Sequence, residues 1–119
     1  MNTSENQIVV YQPDEAIRLD VRLDGETVWL TQNQMAILFG CSVDNVGLHL
    51  KNIYAMGELT REATAEDFSV VRMEGSRRVR RRVTGYNLDA IISVGYRVKL
   101  PQGILFRRWA NWSFWPIPP

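Results

Sequence analysis

The sequence predicts an α+β fold, a winged helix-turn-helix-like domain with an N-terminal β-hairpin and a basic wing hairpin. Three observations predict it. The stretch TQNQMAILFGCSVDNVGLHLKNIY, Thr31 to Tyr54, reads as two helices about a glycine turn. Strict alternation of apolar and polar residues from Ile17 to Leu23 precedes it. Five arginines crowd into the six residues 77–82, in a segment patterned as a returning strand.

The elements follow in order. Ile8-Val9-Val10-Tyr11 is expected as an edge strand that Pro13 stops. Ile17, Leu19, Val21 and Leu23 point one way from the next strand, with Arg18, Asp20 and Arg22 on the other side. Asp24-Gly25 signals a hairpin turn, and Glu26–Leu30 is the return strand. Trp29 is expected to anchor that hairpin on the helices.

The helical pair comes next. Thr31 with Gln34 forms a capping box, and Leu30 with Met35 can close a hydrophobic staple. Met35, Ala36, Leu38 and Phe39 give the first helix its apolar side. Gly40 turns the chain, because glycine takes a left-handed conformation at no steric cost. Ser42 caps the second helix, whose apolar positions Val43, Val46, Leu50 and Ile53 share one face. Gly57 is the expected left-handed cap at its end. The polar run 58–67 is a connector with room for one helical turn, capped by Thr60 or Thr64.

Phe68–Met73 and Arg77–Thr84 read as a second hairpin, turned at Glu74-Gly75-Ser76. Asn87 caps a third helix with Asp89 in its first turn; Leu88, Ile91, Ile92 and Gly95 form its inner side. Pro101 and Gly103 mark a break, and Ile104–Asn111 starts one more helix. The chain thus divides into a domain over residues 1–110 and an atypical, exposed Trp/Pro-rich tail over residues 111–119.

Composition bounds the function. A length of 119 residues suits one domain. One cysteine, Cys41, excludes an internal disulfide, and with one histidine it excludes an ordinary structural zinc site. Cys41 reads as a small buried packing residue rather than a reactive thiol. The start MNTSENQ lacks a signal-peptide pattern and no run is long enough to span a bilayer, so a cytoplasmic location is expected. The net charge of +1 hides an asymmetry, with −7 over residues 1–71 and +8 over residues 72–119. Such a split suggests an electropositive face for nucleic acid or an anionic surface, and equally lets the two halves, or two copies, neutralise each other. No nucleophile–base pair, metal spacing or phosphate-cradling glycine loop is present. The expectation is therefore no enzyme, no catalytic residue, no metal, no cofactor and no small-molecule substrate.

The candidate DNA-binding residues lie on two elements. On the second helix they are Ser42, Asn45, Leu48, Lys51 and Asn52. Asn45 and Asn52 can read adenine edges, Lys51 a guanine or a phosphate, and Leu48 a thymine methyl. On the hairpin they are Arg72, Arg77, Arg78, Arg80, Arg81 and Arg82, whose planar forks suit phosphate. Asp44 repels phosphate, so most electrostatic affinity is expected from the hairpin. His49 reads as a partly buried packing residue.

Three blocks, ETVWLTQNQMAILFG, HLKNIYAMGEL and YNLDAIISVGYRV, resemble the virulence-associated RhuM family of bacteria. The resemblance covers roughly Val9 to Ala110. It implies an intracellular DNA-binding protein, often encoded on mobile or pathogenicity islands, with no catalytic residues to carry over. A similar module precedes Fic-type domains in some longer proteins. Gly47 departs from the family pattern where a polar residue is expected, and so does Leu100-Pro101. Family members are longer, so the tail after Asn111 reads as a truncated or frame-altered end. The leading expectation is a transcriptional or mobile-element regulator that binds double-stranded DNA, with a homodimer as the usual form of such readers. The alternative is a protein–protein interaction module, or a non-functional truncated remnant.

Overall fold

Period-two patterning builds the first layer. In the computed structural model, which describes residues 7–24 and 27–114, strands β1 (Gln7–Asp14), β2 (Ile17–Asp24) and β3 (Thr27–Thr31) form an antiparallel meander. The Asp14 carboxylate closes the β1–β2 turn by accepting from the backbone N–H groups of Ala16 and Ile17, at 2.8 and 3.1 Å. Pro13 does not end β1. The pairing shifts register between Tyr11 and Asp14 instead, an irregularity that an edge strand tolerates where a proline has no N–H to donate. The Asp24-Gly25 turn falls on residues of which Gly25 lies outside those described; β2 and β3 pair antiparallel on either side of it.

Strands β4 (Ala65–Glu74) and β5 (Arg77–Asn87) are longer than their sequence pattern predicts, and the second joins the sheet. The order is β1-β2-β3-β5-β4, every pair antiparallel. Only Gly85, Tyr86 and Asn87 of β5 pair with β3. From Arg77 to Thr84, β5 has β4 as its single neighbour, so the outer part of the hairpin is a two-stranded ribbon that leaves the sheet.

Local chemistry sets the helices. In α1 (Gln32–Phe39) the capping box is complete: Thr31 Oγ1 accepts from the Gln34 N–H at 3.2 Å, and Gln34 Oε1 accepts from the Thr31 N–H at 2.9 Å. Gly40, at φ 67°, ends α1, with the Cys41 N–H on the Ala36 carbonyl. Helix α2 (Val43–Ala55) starts at Ser42, whose Oγ accepts from the Asn45 N–H at 3.0 Å. It closes on Gly57 at φ 75°. There Gly57 N–H bonds the Tyr54 carbonyl and Glu58 N–H the Ile53 carbonyl, a Schellman ending. The connector contains α3 (Arg61–Thr64), and Asn87 caps α4 (Leu88–Val98) through the Ala90 N–H.

Pro101 and Gly103 do not form a break. Helix α5 runs Leu100–Phe114 and contains both, Pro101 in the first turn where a missing N–H costs nothing. Gly103 is buried against Gly95, and a Cβ on Gly95 would stand 3.1 Å from both the Gly103 Cα and the Phe39 ring. The two glycines let α4 and α5 meet backbone to backbone. Helix α5 crosses the boundary expected after residue 110, and Trp109 and Ala110 belong to the packed body. Tyr11 stacks edge-on to Phe106 at 5.0 Å and against Trp109 at 4.8 Å. The last residues of the tail, 115–119, lie outside the described residues.

One face of the sheet carries the core. Leu19, Val21, Val28, Leu30 and Tyr86 are buried there with Met35, Leu38, Phe39, Val46, Leu50, Ile53, Ile91, Val94 and Phe106 from the helices. Val43 is not part of it: at the first turn of α2 it is 38% exposed. Trp29 also departs from expectation. Alternation along β3 sends Val28 and Leu30 to the helices and Trp29 to the opposite face. There its ring meets Phe68 edge-on at 5.5 Å, and the Arg22 guanidinium lies 3.5 Å from the Phe68 ring centre. A Cβ on Gly85 would fall 2.5 Å from the Phe68 ring, so this small outer cluster needs the glycine.

Candidate nucleic-acid interface

Helix α2 has two unlike sides because its apolar residues recur at helical spacing. Val46, Leu50 and Ile53 are buried. Ser42, Asp44, Asn45, Leu48, Lys51, Asn52 and Ala55 are all exposed, so the five candidate residues of this element reach solvent together. Leu48 is 54% exposed, an uncovered leucine in a mostly polar face. His49 is half-buried, as a packing residue would be. Cys41, half-buried in the turn, has its thiol pushed up by burial and away from reactivity.

Gly47 has a local cause. Gln32 reaches over from α1 and its amide donates to the Val43 carbonyl at 2.9 Å. A Cβ on Gly47 would stand 2.6 Å from that amide nitrogen. The glycine keeps the bond between the two helices, so its presence bears on packing and not on the outward face.

The hairpin arginines do not form one surface. Tyr86 faces the core, so the residues in phase with it on β5, Arg78, Arg80 and Arg82, share the helix side of the sheet. Opposite them on β4 stand Met73, Val71 and Ser69. Arg77 and Arg81 have the other phase and lie on the face of Trp29 and Phe68, as does Arg72, which pairs with Val79. The period of two was readable in the run RRVRRR; the face each phase takes was not, because it depends on the β3–β5 pairing.

The arginines also differ in what holds them. Arg81 grips Glu74 with two bonds, Nη2 to Oε1 at 2.7 Å and Nε to Oε2 at 3.0 Å. That bond holds the Glu74 carboxyl below its usual range and raises the Arg81 guanidinium. Arg82 reaches Asp67 at 3.3 Å. Asp67 also accepts from Thr84 Oγ1 at 2.8 Å, and that bond is the main cause of its lowered pKa. Among the described residues, Arg77, Arg78 and Arg80 make no ion pair.

The connector does more than its composition suggested. Thr64 is buried, and its hydroxyl donates to the Thr60 carbonyl at 2.8 Å. The Tyr54 hydroxyl therefore donates to Thr64 Oγ1, at 2.9 Å, and ties the end of α2 to the start of β4. Arg97 of α4 bonds Glu58 at 2.8 Å, just past the α2 cap, and holds its carboxyl low. The end of α2 is thus tied to the start of the hairpin through Tyr54 and to α4 through Glu58.

Among the described residues, no group of three or more His, Cys, Asp or Glu side chains is placed to hold a metal ion. No described helix is long and apolar enough to cross a membrane.

Residues 63–114 match the family model of the Virulence protein RhuM family, somewhat under half of the chain. The matched span holds the β4–β5 hairpin, α4 and α5, and with them the block YNLDAIISVGYRV. The other two resembling blocks, at residues 26–40 and 49–59, precede it. The match continues to residue 114, beyond the Asn111 at which the resemblance was expected to stop. No curated protein and no solved structure matches the chain.

Proposed function

We propose that this RhuM-like chain is a DNA-binding module of winged helix-turn-helix type, acting as a transcriptional or mobile-element regulator. Helix α2 enters the major groove, and the β4–β5 ribbon lies along the phosphates. The observation that carries the reading is one of sides. The exposed face of α2 lies on the helix side of the sheet, and so does the row Arg78, Arg80, Arg82. Asn45, Leu48 and Asn52 are then the base-reading set, and the row, with Lys51, supplies affinity that does not depend on sequence. Arg72, Arg77 and Arg81 face away from this surface and do not belong to the residues that meet DNA first.

The test is fluorescence anisotropy of labelled duplex DNA across a salt series. The expected result is binding at about micromolar or tighter, with a steep loss of affinity as salt rises. Absence of binding at low salt overturns the reading. The second reading is a protein-interaction module. The observation in its favour is the helix-free face of the sheet, where Ile8 and Val10 are 62% and 43% exposed beside Trp29 and Phe68. It is supported if the duplex does not bind while sedimentation shows concentration-dependent self-association.

A further inference from the structure

The acidic half of the chain holds four basic side chains, and the fold divides them two and two. Arg18 pairs with Asp20 at 3.4 Å and Arg22 with Asp24 at 3.6 Å. Lys51 and Arg61 line one concavity between α2, α3 and β5, together with Gln32, Gly47, Leu50, Tyr54 and Tyr86. Its described lining residues include no carboxylate. Among the described residues, neither Lys51 nor Arg61 makes an ion pair. The hollow on the other flank of Arg61 differs: Glu62, Glu66 and Asp67 line it.

The remaining walls suit an oxyanion. The Gln32 amide has two N–H groups and spends one on the Val43 carbonyl. Gly47 adds no side chain to the opening. The Tyr54 hydroxyl is committed to Thr64, and so its ring serves as a wall. Tyr86 lies in phase with Arg82, Arg80 and Arg78 on β5, so the concavity and the arginine row share the helix side of the sheet.

We propose that this concavity is a phosphoryl site: Arg61 offers its planar fork and Lys51 its point charge to one phosphate group. The first source is a phosphate of the DNA backbone, a choice that rests on the function proposed above; a free phosphate monoester has the same chemistry. The bound phosphate sets the register of α2 in the groove, beyond the end of the arginine ribbon.

Two measurements on the full chain separate the sources. One is the salt series with labelled duplex for the wild type, Arg61→Ala and Arg61→Lys. The other is a titration with inorganic phosphate followed by amide ¹H–¹⁵N shifts. The expected result is that Arg61→Ala weakens duplex binding roughly threefold to tenfold and lowers the log–log salt slope by about 0.9, while Arg61→Lys keeps the slope. Phosphate shifts should cluster at Gly47, Lys51, Arg61 and the Gln32 side-chain amide, and vanish in Arg61→Ala. If the duplex binds wild type and Arg61→Ala alike, the site is overturned and the DNA reading stands. If no duplex binds but the clustered phosphate shifts occur, the DNA reading falls and the site takes a free phosphate. If neither duplex binding nor clustered shifts occur, both are overturned.

Discussion

At the scale of single residues, the glycines carry information that composition hides. Gly95 is a point of close packing and not a flexible one, because α4 meets the Gly103 backbone and the Phe39 ring there. Gly95→Ala should destabilise the fold by about 1–3 kcal/mol through overpacking, measured as a lower urea midpoint at unchanged slope. An unchanged midpoint would mean that α5 gives way freely. Asn45 makes the opposite case. Its backbone N–H serves the Ser42 cap while its side chain is exposed, so Asn45→Ala leaves the helix intact. It should shift preference among duplex sequences more than overall affinity, as a competition series would show. A uniform loss across sequences would make Asn45 a structural residue.

At the scale of elements, the β4–β5 hairpin divides its arginines by face. The triple change Arg78→Ala, Arg80→Ala and Arg82→Ala should weaken binding to all duplexes alike and lower the salt slope by about 0.9 for each phosphate no longer neutralised. Equal affinity before and after would remove the ribbon from the interface. The hairpin and the connector before it also share an acid limit. Glu74, Asp67 and Glu58 have lowered pKa values, chiefly through their bonds to Arg81, Thr84 and Arg97. Their folded-state values lie below those of the unfolded chain, so their contribution is present above about pH 4 and is lost as pH falls through the lower folded values. Carboxyl-carbon titration should give midpoints for these three below those measured in urea. Matching midpoints would mean that the bonds do not persist in solution.

At the scale of the whole molecule, the division between legible and hidden follows the range of the interactions. Caps were legible because they join residues three apart: Thr31 with Gln34, Ser42 with Asn45, Asn87 with Ala90. Buried faces of α1 and β2 were legible from period alone, and so was the α+β class. The β3–β5 pairing was not, because it joins Leu30 to Tyr86 across fifty-six positions of chain with only local patterns on either side. From that one pairing follow the division of the arginines and the position of Tyr86 beside Lys51 and Arg61, whereas the face of Trp29 follows from alternation along β3. The α4–α5 junction is hidden for a related reason. Pro101 and Gly103 mean a break in a local rule, but here the first turn accepts the proline and the packing of Gly95 requires the glycine.

The single pairing partner of the outer ribbon has a consequence in time. Amide protons of Leu30 and Tyr86 lie within a sheet under a buried core, whereas from Arg78 to Arg82 every second N–H has β4 as its partner and the others face water. Hydrogen exchange along β5 should therefore step at Gly85, slow on the side of Tyr86 and fast toward Arg77, within one continuous strand. A uniform rate along β5 would mean that the ribbon opens only with the whole sheet. A ribbon that opens and re-forms without disturbing the core can change its twist independently, and so adapt to the width of the surface along which it lies.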